Sequence, residues 1–132
     1  LTNEFSGHII GLLRAERAQL KNLSFDVVLI LNEFSRKAVE KTEFISRIIL
    51  FGSVAKGIAR ANSDIDVAMI VSKKEIRQEL AITQIADSIL NQYKIKVQVH
   101  YLTEEEFANS NSALVEDIKN EGINVLGIRN NS

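Results

Sequence analysis

Asp64 and Asp66 stand one residue apart, with ten residues between them and the earlier pair Gly52-Ser53. In an extended strand side chains alternate, so the two carboxylates point to one side with their Cα atoms roughly 6–7 Å apart. Two ionised acids so placed repel one another unless they share a cation. Oxygen donors of this kind suit Mg²⁺, the usual divalent ion beside phosphates, or Mn²⁺. Two such ions about 3.5–4 Å apart stabilise both the attacking and the leaving oxygen of an in-line phosphoryl displacement. Gly52, with no side chain, lets backbone approach a phosphate closely, and Ser53 adds a hydroxyl. Backbone N–H groups at the turn that follows, with Lys56 and Gly57, would complete a phosphate-binding loop. Ser63 can cap or steer the turn into Asp64, and Arg60 adds a cation at its mouth. Taken singly, Gly52 and Gly57 are ordinary turn glycines and Lys56 and Arg60 solvated charges. Their joint spacing is what singles them out.

Elements of the right kind surround these residues. Residues 45–51 are short, β-branched and aromatic, which predicts a strand running straight into Gly52, and residues 65–71 predict a second strand carrying the acids. Ser72 and Glu75 form a capping-box pair ahead of a helix with Ile82, Ile85, Ala86, Ile89, Leu90 and Tyr93 on its apolar face, ending near Lys94. Residues 95–101 alternate as a third strand. Thr103 and Glu106 offer another capping box, with Glu104, Glu105 and Glu106 as an acidic first turn that suits the helix dipole. Leu114, Val115 and Ile118 mark a last helix stopping at Gly122, a natural left-handed cap, before an extended run at 123–126. Upstream, Leu23, Val27, Ile30, Leu31, Phe34 and Ala38 recur with helical period over 23–41. Phe5, Ile9, Leu12, Leu13 and Leu20 mark a weaker helix interrupted by Gly7 and Gly11. Phe5, Phe25, Phe34, Phe44 and Phe107 are core or interface candidates. His8 is assigned a structural place and the tail 129–132 a frayed end. The second and third strands can pair in parallel through the helix between them, whereas the 51–65 connection suits a hairpin or a bent crossover. The expected fold class is α/β (α+β): a small mixed sheet with helices packed mainly on one face.

At 132 residues the chain fits one domain, which we divide into N-terminal helices over 1–44 and a motif-bearing core over 45–127. The absence of cysteine excludes disulfides, thiolate zinc sites and cysteine nucleophiles, so any metal must sit mainly on oxygen. A net charge of -1 shows no overall basic excess, so nucleic acid is not indicated as a partner. No apolar stretch reaches membrane-spanning length and no secretory signal is visible, which predicts a cytoplasmic protein without membrane association. Leu1 in place of Met suggests a chain trimmed or processed at its front.

The segment LFGSVAKGIARANSDIDVAMIV, residues 50–71, resembles the signature of DNA polymerase β-like nucleotidyltransferases, in which Gly-Ser is followed after ten residues by Asp-x-Asp. Four such fixed positions arise by chance in a chain of this length with a probability on the order of 10⁻³, and flanking strands are the context the motif requires. The resemblance extends more loosely over 45–127. In size the chain is similar to the minimal nucleotidyltransferases of bacteria and archaea, which commonly pair with helical HEPN-type proteins; a homodimer is the other partner expectation. The resemblance implies that Asp64 and Asp66 hold metal and act as the catalytic acids, that Gly52 and Ser53 hold the β and γ phosphates, and that a nucleoside monophosphate passes from an NTP, with ATP the expected one, to an acceptor.

One position departs from the pattern. The family's third metal carboxylate falls on the strand at 95–101, where the alignment gives Gln98, and Lys96, Gln98 and His100 share one face. Glutamine brings no charge, so a second metal would be held more weakly. His100 is a substitute ligand or base on one view and a polar strand residue on the other. Two functions therefore stand side by side: an active metal-dependent nucleotidyltransferase, and a weak or inactive nucleotide-binding fold acting as an antitoxin-like partner. A purely structural domain is the third.

Overall fold

A computed structural model describes residues 23–60 and 63–126. The weaker helix expected from Phe5 to Leu20, with Gly7, Gly11 and His8, and the tail 129–132 lie outside the described residues. Helix α1 (Phe25–Lys41) is capped by Ser24, whose Oγ accepts from the Val27 N–H at 3.2 Å. It leads into strand β1 (Ile45–Phe51), the short helix α2 (Gly52–Lys56) and strand β2 (Ile65–Val71). Helix α3 (Ile76–Tyr93) then crosses to β3 (Val97–Thr103), and α4 (Glu104–Asn109) and α5 (Ala113–Glu121) return the chain to β4 (Ile123–Leu126).

The four strands form one mixed sheet in the order β3-β2-β1-β4. β1 runs antiparallel to β2 and β4, so the Phe51-to-Ile65 connection joins antiparallel neighbours, while β2 and β3 are parallel. Period-two alternation then sorts the side chains. Ile48, Leu50, Ile65, Val67, Met69 and Val97 face Ile30, Phe34 and Ala38 of α1 and Ile82, Ile85 and Ile89 of α3. This is the main core, and both long helices lie on that face. Ile49, Phe51, Ala68 and Ile70 point the other way, against Ile118 of α5, with Leu102, Phe107 and Leu114 at the margin. Short helices cover this second face only in part, and Asp66 and His100 at its end keep about 30% of their side-chain surface exposed. A polar contact also ties α1 to α3, Tyr93 Oη donating to Glu33 Oε1 at 2.7 Å, while within α1 Lys37 Nζ donates to Glu33 Oε2 at 2.8 Å. These donors, Lys37 first, hold the Glu33 carboxyl below its usual range.

Several local expectations need correction. The box at Ser72 does not form; Glu75 caps α3 itself, its carboxylate accepting from the Gln78 N–H at 3.0 Å. Ser72 is still bound to the sheet margin, donating its N–H to the Phe44 carbonyl at 2.9 Å, so the chain cannot yet turn. β3 begins two residues later than expected because Lys94 caps α3 in the left-handed region, φ 62°. It runs on to Thr103, which pairs with Val71. Leu90, expected on the apolar face of α3, is 41% exposed, and Phe25 is 77% exposed. The Thr103 box forms as expected, with Glu106 accepting from the Thr103 N–H at 2.9 Å and Thr103 from the Glu106 N–H at 3.1 Å.

Gly122 ends α5 as expected but not in the left-handed region, since its φ is -74°. Crowding explains the residue instead: a Cβ there would lie 2.4 Å from the Ile118 carbonyl oxygen and 2.5 Å from Ile49 Cγ2. A left-handed cap accepts Asn almost as well as Gly; a crowded one accepts neither Asn nor Ala. We therefore expect Gly122→Ala to cost about 1–3 kcal/mol in urea denaturation, with Gly122→Asn no better. An Asn variant as stable as wild type would show that crowding is not the reason.

Candidate functional site

Sheet register brings the Gly-Ser turn and the second aspartate together. Phe51, the last residue of β1, pairs with Asp66 across the antiparallel ladder. Gly52 follows with φ +79°, a conformation open to glycine and rarely to other residues. This turns the chain out of the sheet and into α2, passing so close to β2 that a Cβ on Gly52 would sit 2.7 Å from Asp66 Oδ2. Two independent constraints, the backbone angle and the carboxylate, therefore require the absence of a side chain here.

Ile65, between the two aspartates, is fully buried in the main core. Alternation then directs Asp64 and Asp66 to the opposite face, with Asp64 exposed just ahead of β2 and Asp66 half-buried within it. Beside Asp66 on the parallel strand β3 stands Gln98, its register partner, so the uncharged residue lies next to the acid as the alignment placed it. His100, two residues on, turns its ring back: Nε2 lies 3.6 Å from Asp66 Oδ1. The Phe51 ring packs edge-on against the imidazole, with centroids 5.1 Å apart at 67°. His100 Nε2 is buried and has no hydrogen-bond partner. The sequence reading offers His100 as a substitute ligand or base, but its approach to Asp66 follows only from the register of β2 and β3.

The remaining residues singled out in the loop have local tasks. Gly57 caps α2 in the left-handed region, φ 75°, its N–H donating toward the carbonyls of Ser53 and Val54. Lys56 pairs with Asp117 of α5 at 3.1 Å, which ties α2 to the helix beneath the second face. Ser63 closes the following turn, its Oγ accepting from the Arg60 N–H at 2.9 Å and its own N–H donating to the Arg60 carbonyl at 3.1 Å. Arg60 and Ser63 also border a cleft of about 400 Å³ floored by Val27, Val54, Ile65 and Ile95. In the acidic turn, Glu106 is held by Thr103 and Lys74, which lowers its carboxyl from the usual range.

The donor chemistry suits a divalent cation. Asp66 offers a half-buried carboxylate, His100 an orphaned nitrogen facing it, and Asp64 a second acid at the mouth. Among the described residues, no three His, Cys, Asp or Glu side chains are gathered into a ready-made cluster. Nor is any helix among them long and apolar enough to cross a membrane.

Comparison with known proteins matches residues 33–129 to the family model described as "Polymerase beta, Nucleotidyltransferase". No curated protein matches. Among solved structures, similar chains occur in a toxin–antitoxin crystal structure with AMP-PNP (TM-score 0.58, 19% identity, 75% of this chain and 74% of that chain). Others occur in the toxin-antitoxin MntA-HepT (TM-score 0.52, 18% identity, 75% of this chain and 71% of that chain). A third belongs to the tri-AMPylated Shewanella oneidensis HEPN toxin in complex with MNT antitoxin (TM-score 0.52, 18% identity, 75% and 71%). At these identities the likeness is one of fold.

Proposed function

The chain belongs to the polymerase beta nucleotidyltransferase family, and from that premise we propose that it transfers a nucleoside monophosphate from an NTP, ATP being the expected one, to an acceptor hydroxyl. The observation that carries this is the close approach of Gly52 to Asp66, which brings the first turn of α2 directly beside a half-buried carboxylate. Gly52 and Ser53 bind the β and γ phosphates through backbone N–H and hydroxyl groups. Asp64 and Asp66 would hold Mg²⁺ or Mn²⁺, which would supply charge neutralisation at the α-phosphate and favour a deprotonated acceptor oxygen. Ser63 fixes the approach of the loop to Asp64. Lys56 is tethered by Asp117 and Gly57 shapes the turn, so both act on phosphate mainly by setting the course of α2. The acceptor hydroxyl gives up its proton to solvent; as its oxygen bonds to the α-phosphorus, the bond to the bridging oxygen breaks and pyrophosphate leaves with that electron pair.

Gln98 beside Asp66 favours a second function: a weak or inactive fold that keeps the nucleotide and serves as an antitoxin-like partner. Under either function the partner we propose is a HEPN-type helical protein, by analogy with the complexes above; a homodimer is the alternative.

Incubation with ATP labelled at the α-phosphate, divalent cation and a HEPN-type partner separates them. Label moving to the partner supports transfer. A rise of several degrees in melting temperature with ATP and Mn²⁺, but no label on any acceptor, supports the binding role. No thermal shift with any NTP at millimolar concentration would remove the basis for both.

A further inference from the structure

The distance between His100 and Asp66 is within reach of an ion pair but too long for a hydrogen bond. An N–H···O hydrogen bond spans about 2.7–3.2 Å, and His100 Nε2 stops 3.6 Å short of Asp66 Oδ1. A buried ring nitrogen without a partner is disfavoured, since it gives up water and receives nothing in exchange. Here the ring is held in that position from the side by Phe51, which is itself 5% exposed and anchored in the sheet. Two donors each about 2.1 Å from a shared ion stand about 3.0 Å apart along an octahedral edge and about 3.4 Å apart along a tetrahedral one. The observed gap is therefore close to the separation of two ligands on one cation, reached with a small shift of either side chain.

Charge bookkeeping points the same way. Gln98 occupies the register position beside Asp66 and contributes no anion. The next residue on the same face of β3 is His100, and its nitrogen already faces the carboxylate. We propose that His100 Nε2 is a direct ligand, with Asp66, of the divalent cation, and that this nitrogen donor makes the site favour a first-row transition ion over Mg²⁺. It rests on the assignment of Asp66 as a metal ligand made above. Imidazole binds transition ions well, whereas Mg²⁺ holds to oxygen and to its water shell. Water and phosphate oxygens would fill the remaining positions on the ion.

The test uses the whole chain with Mn²⁺ alone and with Mn²⁺ plus inorganic triphosphate, which carries no base nitrogen. Electron spin echo envelope modulation reads nitrogen bound directly to Mn²⁺, and calorimetry reads affinity for Mn²⁺ and Mg²⁺. The expected result is a strong ¹⁴N modulation in wild type that is lost in His100→Gln. The Mn²⁺ affinity of that variant falls roughly 10-fold or more, while its Mg²⁺ affinity changes less than about threefold. Gln98→Asp combined with His100→Gln restores an oxygen donor and moves the preference toward Mg²⁺. Two results overturn the proposal while sparing the role of Asp66: Mn²⁺ binding that is abolished by Asp66→Asn yet shows no ¹⁴N modulation, or a modulation that persists in His100→Gln. Mn²⁺ binding indifferent to Asp66→Asn would overturn both. Circular dichroism of His100→Gln, expected to match wild type, separates loss of a ligand from loss of fold.

Discussion

Under the proposed function, Asp66→Asn is expected to lower nucleotidyl transfer by about 10³-fold or more and to leave the fold in place. The side chain keeps its volume, so the packing around it has no cavity to absorb. Its neighbours along β2, Ile65 and Val67, are fully buried on the other face and do not sense the change. What is lost is a full negative charge at the point where the Gly52 turn meets Gln98 and His100 of β3. A neutral amide binds a divalent cation weakly, and Coulomb attraction in a half-buried site is several times stronger than in water. A rate loss of this size corresponds to about 4 kcal/mol, the scale of removing one electrostatic anchor of a transition state. The stability change should stay within about 0.5 kcal/mol, as for an exposed or half-exposed substitution away from the core. Single-turnover transfer from α-labelled ATP measures the first and urea denaturation the second. A variant that transfers within threefold of wild type would sink the assignment of Asp66.

How much of this was legible beforehand follows from the range of the forces involved. β1, β2 and β4 were read with their observed ends because local signals bound them: Gly52 after β1, Ser72 after β2 and Gly122 before β4. The Thr103 capping box was equally local and formed as expected. The start of α3 was misplaced because Ser72 satisfies its N–H on Phe44, a residue 28 positions earlier, and no local pattern reports such a bond. Gly122 was assigned the right task for the wrong reason, since the crowding comes from the Ile118 carbonyl of its own helix together with Ile49 on a distant strand. The motif itself was visible as a spacing, but its meaning depends on register. Only the antiparallel pairing of Phe51 with Asp66 shows that Gly52 must be glycine, and only the parallel pairing of β2 with β3 shows that His100 approaches Asp66. The order β3-β2-β1-β4, which puts both contacts on one face, is a choice among topologies that alternation alone leaves open.

Gly52→Ala is expected to damage stability and activity together, through two causes that can be separated. The first is the backbone angle: at φ +79° an alanine costs about 1–2 kcal/mol relative to glycine. The second is overlap, because the new Cβ would meet Asp66 Oδ2 at 2.7 Å, and the carboxylate must move. Together they should cost about 2–4 kcal/mol. Displacing the carboxylate by even a fraction of an ångström spoils its alignment with the phosphate turn, and misplacements of about 1 Å cost on the order of 10²-fold in rate. Asp66→Ala distinguishes the causes. It removes Oδ2 and Cγ but leaves Cβ, which lies at an ordinary 3.4 Å from the added methyl. In that background Gly52→Ala should cost only the backbone component, so the two substitutions couple by about 1–2 kcal/mol in urea denaturation of the four proteins. Additivity within about 0.5 kcal/mol would mean that the carboxylate is not what keeps residue 52 bare. The close approach of Gly52 to Asp66 would then be a by-product of the turn, and the support it lends to a phosphate seat beside a metal ligand would fall with it.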